Sequence, residues 1–156
     1  MEQVDGRLEP LKADKKRNVL FLCTGNSARS QMAEAFLRHY GGDRFTAYSA
    51  GLSPSVINPY TVRVMDELGF DLAGQRAKSV KEYLGGTNFA YVITVCTKAE
   101  ENCPSTFPGQ PVRLAWSFED PAAFEGDDGA KLQKFREVRD QIRGQITTWL
   151  QTQQVA

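Results

Sequence analysis

Cys23 and Arg29 flank five small or polar residues, Thr24-Gly25-Asn26-Ser27-Ala28, between an apolar run, Val19 to Leu22, and a helical pattern that opens near Arg29. A thiol reacts as its thiolate. Its ordinary pKa of about 8.5 falls to somewhere between about 3.5 and 7.5 beside a cation or a helix N-terminus. The spacing supplies both, so Cys23 is expected to be a thiolate nucleophile at neutral pH, with the Ser30 hydroxyl available to the same sulfur. Gly25 and Asn26 tolerate φ > 0, which lets the backbone curl with its N–H groups inward. The unpaired N–H groups of the following helix extend that cradle, and the Arg29 guanidinium can grip two oxygens of a tetrahedral oxyanion. Thr24, Gly25, Asn26, Ser27, Ala28, Arg29 and Ser30 are therefore the candidate substrate-binding residues. The plainer alternative is a buried strand-end cysteine and a solvated arginine; a position straight after a strand and straight before a helix favours the nucleophile.

Cys96 closes a second apolar run, Phe89 to Cys96, and Cys103 lies seven residues further on. Thr97-Lys98-Ala99-Glu100 has capping-box spacing, which predicts a short helix just beyond Cys96, ended by Pro104. Asp120-Pro121 follows a candidate strand, Pro111 to Ala115. Each feature has a bland counterpart: two buried thiols, and an Asx-Pro turn. Three cysteines do not complete a disulfide framework, and thiols in a reducing compartment are more often catalytic, redox-active or metal-binding than structural. Zinc fits poorly, because His39 is the single histidine and the cysteine spacing matches no zinc pattern.

The elements that must position these residues alternate between strand and helix. Val19–Leu22 reads as a strand buried on both faces. The helix after it places Met32, Phe36 and Tyr40 on one stripe and stops at Gly41-Gly42. Arg44 to Gly51 is a second strand. Asn58 and Pro59 open a helix as N-cap and N1, with Val62, Met65 and Leu68 as its apolar face and Gly69 as its stop. Gln75 to Leu84 holds a loop and one helical turn. Asp127-Asp128-Gly129 leads into a closing helix with the stripe Leu132, Phe135, Val138, Ile142, Ile146 and Trp149. Such alternation implies an α/β doubly wound sheet, whose sites form beyond the carboxyl ends of the strands. Cys23 and Cys96 end strands and Asp120 follows one, so the three are expected at one edge.

The chain has 156 residues, enough for one domain with a core, and its 19 Lys+Arg balance its 19 Asp+Glu. That balance gives no argument for nucleic acid or an anionic membrane as partner. No apolar stretch approaches the roughly 18 residues of a membrane span. Met1 to Arg17 carries nine charged residues and no apolar signal-like core, and reads as a mobile tail before a single catalytic domain at 18–152. A cytoplasmic location is the simplest expectation.

Taken together, Cys23-Thr-Gly-Asn-Ser-Ala-Arg29-Ser30, Ser49-Ala-Gly51, Val95-Cys96, Asn102-Cys103-Pro104, Trp116 and Asp120-Pro121-Ala122 resemble the thioredoxin-coupled arsenate reductases, a family built on the low-molecular-weight protein tyrosine phosphatase fold. The likeness runs from about Asn18 to Leu150. It implies a three-layer, doubly wound, four-stranded parallel sheet of order 2-1-3-4. It also implies that Cys23 attacks arsenate held in the cradle, and that Cys96 then attacks Cys23, expelling arsenite. Cys103 next attacks Cys96 and presents a Cys96/Cys103 disulfide to thioredoxin. Asp120 corresponds to the general acid. By the same resemblance the catalytic residues are Cys23, Cys96, Cys103, Arg29 and Asp120, no cofactor is bound, and the external reductant is thioredoxin ahead of glutaredoxin. The protein is expected to act as a monomer.

A disulfide requires Cα atoms within about 7 Å, whereas seven helical residues span about 10.5 Å. Thr97 to Asn102 is thus expected to be helical when reduced and to unwind on oxidation. The chain departs from the family's pattern in having Ala28 where a further cysteine often stands. Some members bind potassium beside the loop, and Asn26, Glu34 and Ser49 match part of that site. The remaining ligands would fall near Arg76 and Lys78, so one of these cations is expected to replace the ion and pair with Glu34. Two rival readings use the same residues: a low-molecular-weight tyrosine phosphatase, and an oxyanion or redox sensor. Against the first, Asp120-Pro-Ala-Ala-Phe lacks the tyrosines usual in such phosphatases.

Overall fold

A computed structural model describes residues 16–101, 107 and 110–153. Four strands, β1 (Arg17–Cys23), β2 (Phe45–Gly51), β3 (Tyr91–Thr94) and β4 (Val112–Ala115), form one sheet of order β2-β1-β3-β4. All pairings are parallel, with Leu22 opposite Ala50 on one side and Thr94 on the other. Central β1 is completely buried from Val19 to Leu22, as a strand covered on both faces must be. β1 begins at Arg17, one residue inside the segment read as a tail, because the Arg17 N–H donates to Arg44 O (3.1 Å) and its guanidinium lies over the Tyr91 ring. The expected tail before Lys16 lies outside the described residues. β3 is shorter than the apolar run around it, although Ala90 N–H and Val95 N–H extend its ladder to Asn18 O and Leu22 O.

Helices α1 (Arg29–Gly41), α2 (Pro59–Asp66), α3 (Thr97–Glu101) and α4 (Asp128–Gln153) follow the strands. α4 packs on both α1 and α2. Its expected stripe from Leu132 to Trp149 is buried throughout. Alternation along β2 sends Phe45 toward Trp149 of α4 and Tyr48 the other way, into a cluster with Tyr83 and Phe89. Both faces of the sheet are therefore covered, and the fold has three layers.

Two apolar stripes need correction. α2 buries Thr61, Val64 and Met65 and leaves Val62 exposed, because the Thr61 hydroxyl is drawn inward to Ser27 O (3.1 Å). Tyr40 is exposed; it stacks on Phe36 and meets His39 edge-to-face instead of entering the core. Asn58 caps α2 as expected, its side chain accepting the Tyr60 N–H at 2.8 Å. The turn anticipated between Gln75 and Leu84 is a 3-10 turn at Val80–Glu82.

Candidate active site

The loop from Cys23 to Ala28 is shaped from outside. Its carbonyls accept in series: Cys23 O from Leu52 N–H (3.0 Å), Thr24 O from Ser53 (2.8 Å), Gly25 O from Ser55 (3.0 Å) and Ser27 O from Asn58 (3.0 Å). Asn26 O takes the Gln31 side-chain amide at 3.0 Å. In a planar trans peptide, each outward carbonyl turns the next N–H the opposite way, toward the pocket. Asn26 supplies the bend, with φ +52. Gly51 permits the close approach of β2, since a Cβ there would lie 2.6 Å from Thr24 O and 3.0 Å from Asn26. Ala28 caps α1 without a side-chain acceptor, which leaves the first-turn N–H groups for an anion. Cys23, Thr24, Gly25, Ser27, Ala28, Arg29, Asp120 and Ala122 enclose a pocket of about 190 Å³.

Cys23 and Cys96, at the ends of adjacent strands, meet with their sulfurs 3.7 Å apart. Cys96 Sγ also contacts the Thr24 hydroxyl (3.6 Å) and accepts the Ala99 N–H (3.4 Å), so the sulfur itself caps the first turn of α3. The capping signal at Thr97 therefore falls one residue late. These donors decide where the charge of the thiol pair resides. The hydrogen bond from Cys23, above all, and then those from Thr24 and Ala99 hold Cys96 down at about 5 against the cost of its burial. The same bond to Cys96, followed by burial, pushes Cys23 up, with Arg29 opposing. The Cys23–Cys96 hydrogen bond thus draws the charge of the pair toward Cys96, while Arg29 favours the thiolate at Cys23. Ser30, the other expected partner of Cys23, instead accepts the Asn26 amide at 2.8 Å. Cys103 lies outside the described residues; the helix expected between the later thiols is present over Thr97–Glu101.

Arg29 links the cradle to the loop after β4. Its NH1 donates to Phe118 O (3.0 Å) and its NH2 lies 3.8 Å from Asp120 Oδ2. Its Nε is buried and has no hydrogen-bond partner among the described residues, an uncommon cost for a charged group. An oxyanion entering the pocket is the kind of partner that would satisfy it. Asp120 is half-exposed, and its Oδ1 takes the Ala122 N–H at 3.0 Å, capping a 3-10 turn at Pro121–Ala123. The Asx-Pro turn and the pocket-lining position are both present in one residue.

A buried polar cluster lies behind the loop. Glu34 accepts from the Ser49 hydroxyl at 2.5 Å and pairs with Arg38. The Lys78 ammonium lies 3.5 Å from Glu34, 3.3 Å from Ser49 Oγ and 2.9 Å from Arg76 O. Burial pulls the Lys78 pKa down, and Glu34 opposes that shift. Of the two expected cations, Lys78 thus joins Arg38 beside Glu34, whereas Arg76 turns outward to Glu82. Asn26 Oδ1 accepts the Lys78 backbone N–H at 2.8 Å. These groups do not fit a resident potassium ion, because the Lys78 ammonium already occupies Glu34 and Ser49 while Asn26 Oδ1 accepts the Lys78 N–H and the Gln31 amide.

Sequence reasoning missed Gln31. Completely buried, its amide nitrogen reaches Asn26 O, Asn26 Oδ1 (both 3.0 Å) and Arg76 O (2.9 Å), while its oxygen accepts from Gln75 at 2.6 Å. Gln31 shares its helix face with Glu34 and Arg38, so in the sequence it reads as part of a solvated stripe.

The family model for low molecular weight phosphotyrosine protein phosphatase matches residues 18–156. An arsenate reductase of Halalkalibacterium halodurans is 42% identical over 138 residues, 88% of this chain and 97% of that protein. A solved arsenate reductase in its oxidized state superposes with a TM-score of 0.72 at 30% identity, over 85% of this chain and 95% of that one. The thioredoxin-dependent arsenate reductase of Corynebacterium glutamicum gives a TM-score of 0.67 at 30% identity, over 94% of this chain and 66% of that one. The chain therefore belongs to the low-molecular-weight phosphotyrosine protein phosphatase family and is similar, over most of its length, to arsenate reductases within it.

Proposed function

We propose that the protein reduces arsenate to arsenite through a relay of Cys23, Cys96 and Cys103 that thioredoxin resets. The observation that carries this reading is the 3.7 Å separation of the Cys23 and Cys96 sulfurs at an oxyanion-shaped pocket. Arsenate enters with its oxygens on the loop N–H groups and the free side of Arg29. Cys23 attacks arsenic, an arsenic–oxygen bond breaks, and the thiol proton and the departing hydroxyl leave as water, with Asp120 assisting the proton. Cys96, whose thiolate is favoured by its hydrogen bonds, then attacks Cys23. The sulfur–arsenic bond breaks and its electron pair stays on arsenic, which falls from As(V) to As(III) and departs as arsenite after taking up protons. Cys103 attacks Cys96 in turn, releasing Cys23 as a thiol and forming the Cys96/Cys103 disulfide.

In this reading thioredoxin is the external reductant, as the name of the Corynebacterium glutamicum relative suggests, and no cofactor is bound. The setting is a reducing cytoplasm; among the described residues no helix is long and apolar enough to cross a membrane. Weak hydrolysis of small phosphate monoesters is expected as a by-product of the shared cradle. The test is arsenate-dependent NADPH oxidation with thioredoxin and thioredoxin reductase, in the parent and in each Cys→Ser variant. Loss of multiple turnover in all three variants supports the relay, and sustained turnover by Cys103→Ser refutes it.

A further inference from the structure

Asp120 and the carbonyl that orients Arg29 share one short loop, and that loop has few fixed points of its own. Phe118 O holds Arg29 NH1, Glu119 and Asp120 are exposed, and the turn at Pro121–Ala123 has only Pro121 buried. From α4, the Lys134 ammonium reaches both flanks of the turn. It lies 3.2 Å from Glu119, the residue before Asp120, and 5.3 Å over the ring of Phe124, the residue after the turn. Glu137, one turn along α4, steadies the ammonium from behind at 3.2 Å. The Lys134 side chain is only 19% exposed, far more enclosed than either acid it meets.

The arrangement matters most when a ligand arrives. Arg29 NH2 contacts Asp120 at the margin of ion-pair distance, and an oxyanion in the pocket competes for that NH2. Asp120 then loses its tie to Arg29. The loop keeps the Phe118 backbone bonds to Arg29 and Val95, the Asp120 cap on Ala122 N–H, the packed Pro121 and the Lys134 bracket, a side-chain hold from α4 on both flanks of the turn. We propose that Lys134 is a positioning residue for Asp120: it clamps both ends of the Pro121–Ala123 turn so that the carboxyl stays over Cys23 and Arg29 while substrate occupies the cradle. The inference rests on the reading of Asp120 as the group that assists the oxygen departing from arsenic.

The test is a mutant cycle on arsenate turnover with the thioredoxin system, thermal unfolding being followed alongside. Lys134→Met keeps an apolar stem against Phe124 and removes the charge; Lys134→Arg restores it. Removing an exposed ion pair and a cation–π contact sets the scale, so Lys134→Met should lower kcat by about three- to tenfold, and Lys134→Arg should recover most of it. In an Asp120→Ala background the same Lys134→Met change should cost less than about twofold, because the group it positions is gone. An equal loss in both backgrounds, or an Arg variant no better than Met, marks Lys134 as merely structural and overturns the inference. If Asp120→Ala is impaired while Lys134→Met turns over like the parent, the inference alone fails. Parental turnover by Asp120→Ala defeats the reading of Asp120 and the inference with it.

Discussion

Replacing Gln31 with leucine tests whether the cradle is held open by its surroundings. Leucine fills a similar volume, so the change removes polar contacts more than packing. Of the three acceptors on the Gln31 amide, Arg76 O keeps the Lys78 ammonium and Asn26 Oδ1 keeps the Lys78 N–H. Asn26 O has no second donor among the described residues and is left buried. One orphaned buried carbonyl costs about 1–3 kcal/mol. Its relief is rotation of the Asn26–Ser27 peptide, a change in Asn26 ψ and Ser27 φ that turns the carbonyl away from its buried position. That rotation takes the Ser27 N–H out of the pocket. A hydrogen bond to a charged group is worth about 1.5–3 kcal/mol, so phosphate should bind at least about tenfold more weakly. Urea unfolding and calorimetric titration with inorganic phosphate measure the two effects separately. A folded Gln31→Leu protein that binds phosphate within twofold of the parent would refute the idea that Gln31 shapes the cradle.

Three more expectations follow from the site. Alkylation of Cys96, followed by peptide mapping, should rise through about pH 5 and level off by neutrality, because the thiolate forms as pH climbs through a depressed pKa; Cys23→Ala removes the largest cause and should move the inflection up. A Cys96 profile centred near the ordinary value of about 8.5 contradicts the thiol-pair assignment. Gly51→Ala brings a methyl 2.6 Å from Thr24 O, contact with backbone that cannot yield without moving the loop; phosphate affinity should fall more than tenfold, and an unchanged affinity removes Gly51 from the account. Potassium and sodium should support equal turnover and thermal stability in the parent, given the Lys78 ammonium beside Glu34, and a specific gain with potassium defeats that assignment.

The chain's architecture was largely legible because its strands are short apolar runs punctuated by clear helix signals. Asn58-Pro59 and the α4 stripe were read correctly from local chemistry alone. Val62 and Tyr40 were misplaced for a different reason: periodicity gives a helix face, whereas its rotation depends on what the neighbours accept, here a carbonyl of the loop that draws Thr61 inward. The cradle residues were legible for the same reason as the strands, since small and φ-tolerant types stand before a helix start. The hydrogen bonding that pulls charge from Cys23 toward Cys96 was not. It depends on a contact across 73 positions and on the Ala99 N–H, neither of which a motif encodes. Gln31 meets Gln75 and Arg76, 44 and 45 positions away, and Lys134 meets Glu119 across the turn before α4, so only the folded arrangement reveals these contacts.

The central claim is that Cys96 takes Cys23 off arsenic. Fully reduced Cys103→Ser protein, given one equivalent of arsenate without thioredoxin, should release one equivalent of arsenite and stop with Cys23 and Cys96 joined, as seen by mass spectrometry of non-reduced peptides. The sulfurs already lie 3.7 Å apart, so no large movement stands in the way. Arsenite released without a Cys23–Cys96 disulfide, or no arsenite at all, would contradict the relay.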